Sequence, residues 1–145
     1  AYPQKPITLV VPYAPGGAND IIGRVVAEEM SNSLGQRMVV ENRAGAGGSV
    51  GAAAASRAQP DGYTLLLGAL TSHSINMSLQ AKPGFDLKKD LVPVGLAGNV
   101  GLALVVHPSV SAKTVPELIA LIKAKPEEYS YASSGQGSPQ HLSGD

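Results

Sequence analysis

A chain of 145 residues with 43% hydrophobic side chains is long enough to bury a real core, and it limits the molecule to one or two small lobes. Eleven basic residues balance eleven acidic ones, so there is no broad field to hold a nucleic-acid backbone or an anionic membrane, and a charged ligand must be recognised locally. The absence of cysteine excludes disulfides, thiolate metal sites and a lipid-modified N-terminal cysteine.

The apolar runs are all far shorter than the ~20 residues of a spanning helix, which predicts a soluble chain. The opening Ala1-Tyr2-Pro3 lacks an initiator Met and enters a strand within a few residues, as a secreted chain does after signal-peptide removal and as a trimmed one also would. Ile7-Thr8-Leu9-Val10-Val11 reads as a strand buried on both faces of a parallel sheet. From Asn19, the residues Ile21, Ile22, Val25, Val26, Met30 and Leu34 recur at helical spacing, and Gly35 is placed to end that helix in a left-handed cap. Residues 37–41 read as a second strand and 52–58 as an alanine-rich helix. After the turn signal Pro60-Asp61-Gly62, residues 63–67 read as a third strand. Strands alternating with helices predict an α/β fold with right-handed crossovers.

The stretch 71–93 has weak periodicity and several breakers, and reads as irregular with a short helical turn near Asn76. Residues 94–97 and 102–107 are expected as two further strands, separated by Gly98-Asn99-Val100-Gly101, a hinge between lobes or an ordinary loop. Thr114-Val115-Pro116-Glu117 has capping-box spacing and opens a helix containing Leu118, Ile119, Leu121 and Ile122, which closes at Lys123, Lys125 and Pro126. Residues 129–132 read as a last strand, and Ser138 with Pro139 as a helix start.

Three times a strand runs into small residues and then a helix: at Ala14-Pro15-Gly16-Gly17-Ala18, at Ala44-Gly45-Ala46-Gly47-Gly48-Ser49, and at Ser133-Ser134-Gly135-Gln136-Gly137-Ser138. Glycine lets backbone N–H groups approach a ligand, and a helix N-terminus carries free donors, so such loops suit a carboxylate or phosphate. The same glycines also serve tight turns and close packing, and in the middle loop Gly47, Gly51 and the alanines look like a packing face. Asp20 either compensates the helix dipole or orients the loop and a ligand; left unpaired, it would repel an anion. Enzyme signatures are weak. The glycines at 45, 47 and 51 miss the dinucleotide spacing, no P-loop lysine follows any glycine run, and Ser133-Ser134-Gly135 lacks the preceding glycine of a nucleophile elbow. His73, His107 and His141 are far apart and read as surface or loop residues rather than a metal site.

The segments Pro12-Tyr13-Ala14-Pro15-Gly16-Gly17-Ala18-Asn19-Asp20, Glu41-Asn42-Arg43-Ala44-Gly45-Ala46-Gly47-Gly48 and Pro60-Asp61-Gly62-Tyr63-Thr64 closely resemble the extracytoplasmic receptors of tripartite tricarboxylate transporters, the Bug family. So do residues 86–94, Val115-Pro116-Glu117-Leu118, and Tyr131-Ala132-Ser133-Ser134-Gly135 with Gly137, Ser138, His141 and Leu142. The resemblance implies a periplasmic-binding-protein-like fold, with two α/β lobes of mainly parallel sheet flanked by helices. Residues 1–98 would belong to the first lobe and 99–145 to the start of a second, with the chain truncated inside it. It further implies that Tyr13, Ala14, Pro15, Gly16, Gly17 and Asp20 face Ser133, Ser134, Gly135, Gly137 and Ser138 across a cleft, with Thr71 and Ser72 between them. These groups would hold a small carboxylate through backbone donors and bridging waters for delivery to membrane permease subunits.

A transport receptor of this kind is not an enzyme and needs no cofactor. Two other readings use the same fold: a hydrolase or transferase acting through Ser134 and His141, and a ligand-loaded partner of a sensor protein. Dicarboxylates, acidic amino acids and aromatic acids all remain open as ligands.

Overall fold

The computed structural model describes residues 1–133 and 139–144. Strand β1 (Ile7–Val11) leads into helix α1 (Ala18–Leu34), then strand β2 (Met38–Asn42), a 3-10 turn at Ala46–Gly48, helix α2 (Ser49–Ser56), strand β3 (Thr64–Leu66) and helix α3 (Leu70–Leu79). Helices α4 (Val115–Ala124) and α5 (Pro139–Gly144) follow much later. The strands form one parallel sheet in the order β2-β1-β3, in which Ile7 pairs with Met38, Val11 with Asn42, and Leu9 with Leu65.

Because the chain steps from β1 to one side and from β2 back across to the other, right-handed crossovers place α1 and α2 on opposite faces of the sheet. Side-chain alternation agrees. Ile7 and Leu9 join Met38 and Ala27 in a core under α1, whereas Leu66 packs with Ala52, Ala53 and Phe85 under α2. β1 is therefore buried on both faces, as its largely apolar, β-branched run predicts. α1 comes very close to the sheet at Gly23, where a Cβ would lie 2.9 Å from Val11 and 3.2 Å from Leu67. Gly35 ends α1 in the left-handed conformation at φ 65°.

The buried line of α1 runs through Asp20, Gly23 and Ala27, so Ile21 and Val25 turn to the exposed side although they share the apolar period. Small residues hold the inner line because the helix sits too near the sheet for larger ones. Helix α2 begins at Ser49, three residues before the position read from the alanine run, because the preceding 3-10 turn already coils the backbone.

Two larger corrections concern the middle and the end of the chain. The stretch expected to be irregular contains the ten-residue helix α3, whose buried residues are Ser72, His73 and Asn76. A helix with a polar buried face leaves no apolar periodicity to detect. Conversely, residues 94–97, 102–107 and 129–132 form no strand among the described residues, and Val94, Leu96, Leu102, Leu104 and Val105 are exposed. No strand or helix of the described chain covers them, so their apolar pattern finds nothing to bury against.

Thr114 caps α4 as its spacing predicts, accepting from the Glu117 N–H at 3.4 Å. The Glu117 carboxylate reaches one residue further back than a standard capping box, accepting from the Lys113 N–H at 2.7 Å. α5 begins at Pro139 as expected, and its expected cap, Ser138, lies outside the described residues.

Candidate functional site

Parallel pairing brings the ends of β1, β2 and β3 to one edge of the sheet, so the loops that follow them lie side by side. In open α/β sheets this edge is where ligands bind, at the point where strand order reverses. Here the reversal is at β1, which has β2 on one side and β3 on the other.

The loop after β1 is held from below by Asp20. Asp20 is 3% exposed, and its carboxylate accepts from the Gly16 N–H at 2.9 Å, from Arg24 Nε at 3.0 Å and from Asn42 Nδ2 at 2.9 Å. Asn42 Nδ2 also donates to the Tyr13 carbonyl at 3.1 Å, so both ends of the loop are tied to one carboxylate and one amide. The Arg24 hydrogen bond, followed by those from Gly16 and Asn42, lowers the Asp20 pKa from 3.8 to about 2. Asp20 thus orients the loop, and with its charge matched by Arg24 it does not stand as an unpaired repeller of anions. Above it, Ala14, Pro15, Gly16 and Gly17 are exposed and Tyr13 is half-buried. Gly17 precedes α1 as an N-cap without a side chain, so the first-turn N–H groups face this loop.

The loop after β2 passes through four successive residues at positive φ, from Gly45 at 139° to Gly48 at 96°, including the non-glycine Ala46 at 46°. α3 holds it in place: Asn76 Nδ2 donates to the Gly47 carbonyl at 2.9 Å, and Gln80 Nε2 to Ser49 Oγ at 3.2 Å. Gly51 and the alanines of α2 form the packing face read from the sequence. A Cβ on Gly51 would lie 2.6 Å from Pro12 Cβ and 2.9 Å from the Arg43 carbonyl. Gly47 belongs instead to the loop, where its φ of 62° requires glycine-like freedom.

The loop after β3 joins the first through Tyr13, whose hydroxyl accepts from the Ala69 N–H at 3.4 Å. At the start of α3, Thr71 is exposed while Ser72 is buried. The next residue corrects the sequence reading: His73 is no surface histidine but is 1% exposed. Its ring is near-parallel to that of Tyr13 (centroids 6.3 Å apart) and edge-on to Phe85 (5.8 Å). Burial lowers its pKa from 6.5 to about 4, so the ring is neutral near pH 7. Neither ring nitrogen has a hydrogen-bond partner among the described residues, a deficit that costs about 1–3 kcal/mol per buried group.

The structure therefore brings together Tyr13, Gly16, Gly17, Asp20 and Ser72 at one sheet edge. Ser133 is exposed, while Ser134, Gly135, Gly137 and Ser138 lie outside the described residues. Asn42, Arg24, Asn76 and His73 complete the frame and were not foreseen as site residues. Only the Asp20–Arg24 pair is readable from spacing alone, being i,i+4 on a helix. Chemically, the edge offers backbone donors and no cluster of three or more metal-binding side chains among the described residues.

The model of the tripartite tricarboxylate transporter family receptor matches residues 22–145. BugT of Bordetella pertussis is 42% identical over 142 residues, covering 97% of this chain and 44% of BugT. Among solved structures, MatC from Rhodopseudomonas palustris with bound malate is 32% identical with a TM-score of 0.89, covering 98% of this chain and 48% of MatC. A second R. palustris protein, with adipate, is 32% identical at a TM-score of 0.84, covering 99% of this chain and 48% of its own. The chain spans about half the length of the relatives it matches. Their likeness in sequence and fold, on an α/β frame of the periplasmic-binding-protein kind, shows that this chain belongs to the tripartite tricarboxylate transporter receptor family.

Proposed function

We propose that this chain supplies the carboxylate-binding frame of a periplasmic receptor, which captures a small solute and delivers it to the permease subunits of a tripartite transporter. The observation that carries this reading is the convergence of the loops after β1, β2 and β3 on one sheet edge, with the carboxylate beneath the first loop already engaged by Gly16, Arg24 and Asn42. An anion arriving beside Gly17 meets the backbone donors of the first turn and the positive end of α1. Dicarboxylates are the favoured class, since the malate and adipate held by the two R. palustris proteins both carry two carboxylates. We assign residues 1–98 to the first lobe and 99–145 to the start of the second, whose residues Ser133, Ser134, Gly135, Gly137 and Ser138 would face the first loop across the cleft. Thr71 and Ser72 would line the floor between them. Capture and release make and break no covalent bond, and cleft closure follows from tighter binding in the closed state.

A thermal-shift panel of mono-, di- and tricarboxylates in phosphate-free buffer, run on the 145-residue chain and on the complete gene product, tests the reading. A solute that binds only the folded state adds about 2.7 kcal/mol of stability at a hundred times its Kd. A selective rise with dicarboxylates is expected. Silence across the panel from folded protein would sink the proposal. Asp20→Ala should weaken any shift by releasing the first loop, while Asp61→Ala, at the other end of the strands, should leave it in place.

A further inference from the structure

His73 touches all three loops at the carboxyl edge. It stacks against Tyr13 of the first. A Cβ on Gly48 of the second would lie 2.9 Å from its Cε1, and a Cβ on Gly68 of the third would lie 2.4 Å from its Nε2. The two glycines differ in an informative way. Gly48 has a φ of 96° and is needed there for its backbone alone, whereas Gly68 is not among the glycines at positive φ. What excludes a side chain at position 68 is the imidazole itself. A polar ring buried with both nitrogens unpartnered is also a poor choice for filling space, and such local violations gather at functional sites.

We propose that His73 is a positioning residue: its ring, wedged between Gly48 and Gly68 and against Tyr13, sets the relative heights of the three loops that form the solute site. The proposal rests on the receptor reading for its consequence in binding, but not for its consequence in loop order. His73 acts on the solute through the loops. Its nitrogens are closed off from solvent, so no direct contact with the solute is invoked.

The test is a double-mutant cycle in the complete gene product, with malate and adipate as probes in titration calorimetry and amide hydrogen exchange followed without solute. His73→Ala and Gly68→Ala should each weaken binding by at least about tenfold. The double variant should bind no more weakly than the worse single one, because the added methyl enters the space the ring has left. Without solute, His73→Ala should speed exchange at the Gly48 and Ala69 amides while leaving Leu9 in β1 unchanged. If His73→Ala fails to fold, His73→Asn takes its place, since it keeps a planar polar group too short to reach Gly68. Additive losses in the cycle, or exchange that stays unchanged or rises equally in β1, would overturn the positioning role. If the unmutated protein binds neither probe, the receptor reading falls for these solutes and the exchange result alone decides the role of His73.

Discussion

Ile7–Val11, apolar but for Thr8, and residues 102–106, apolar throughout, are both five-residue runs of strand-like composition, yet they end in opposite environments. The first is a central strand with Ile7 fully buried; the second has Leu104 70% exposed and no strand neighbour among the described residues. The difference is in what surrounds them. β1 has β2 and β3 on its two edges and α1 and α2 over its two faces, all supplied within the next sixty residues. A strand-like pattern states what a segment is able to bury, and burial happens only where a second surface meets it.

The strongest way to break this comparison is to cut side chains on both runs. Ile7→Ala should cost about 2–5 kcal/mol, because it opens a cavity in the core under α1. Leu104→Ala should stay within about 0.5 kcal/mol. Denaturant melts of the two variants check this, and equal losses would mean that residues 102–106 are buried in solution.

The second effect depends on pH and belongs to the packed first part of the chain. The folded pKa of His73, at about 4, lies below its unfolded value of 6.5. Between those values the unfolded chain binds the extra proton, so stability is full above about pH 6.5 and falls as the pH drops toward 4. The loss should reach on the order of 3 kcal/mol, because every tenfold difference in proton affinity between the two states is worth about 1.4 kcal/mol. Asp20 adds a second, lower window: its stabilisation is complete above 3.8 and fades as the pH falls toward 2. Melts of the parent and of His73→Gln from about pH 7.5 to 4 separate the two. The variant should lack the slope above pH 4, and a parent curve flat over that range would refute the assignment.

How much of this was legible in the sequence follows the same division. β1, α1, β2, α2 and β3 could be read because each apolar face has its partner inside the chain, and Gly35 and Thr114 could be read because caps act through neighbouring backbone. α3 was invisible because Ser72, His73 and Asn76 make its buried face polar. The loops were legible as anion-binding candidates from their glycines. The Asp20–Asn42–Tyr13 tie was not, since it depends on the register that sets Asn42 opposite Val11. The expected strands at 94–97, 102–107 and 129–132 failed for the complementary reason: alternation in one segment carries no information about whether another is there to receive it.

A third substitution sharpens the contrast at the join between sheet and site. Gly51→Ala places a methyl group against Pro12 and the Arg43 carbonyl, where backbone rather than a flexible side-chain end must yield. It should cost about 1–3 kcal/mol as overpacking. The same change at Gly98, whose Cβ would meet nothing within 4 Å, should be close to neutral. Thermal melts of the pair test whether the two halves differ in packing as their burial says.

The smallest effect comes from α4, which is well capped yet has no buried residue. Thr114→Ala removes the side-chain oxygen that accepts from the Glu117 N–H and should cost about 1 kcal/mol of local helix stability. Because α4 has no buried residue and its main described contact is with the 3-10 turn at Pro126–Glu128, that loss should not spread to the sheet. Amide exchange at Glu117 should therefore quicken about fivefold, while the melting of β1, followed at the Leu9 amide, stays where it was. If the Leu9 amide quickened as well, α4 would have to be energetically joined to the sheet, and the contrast between the packed and the exposed parts of this chain would be one of shape without a matching contrast in stability.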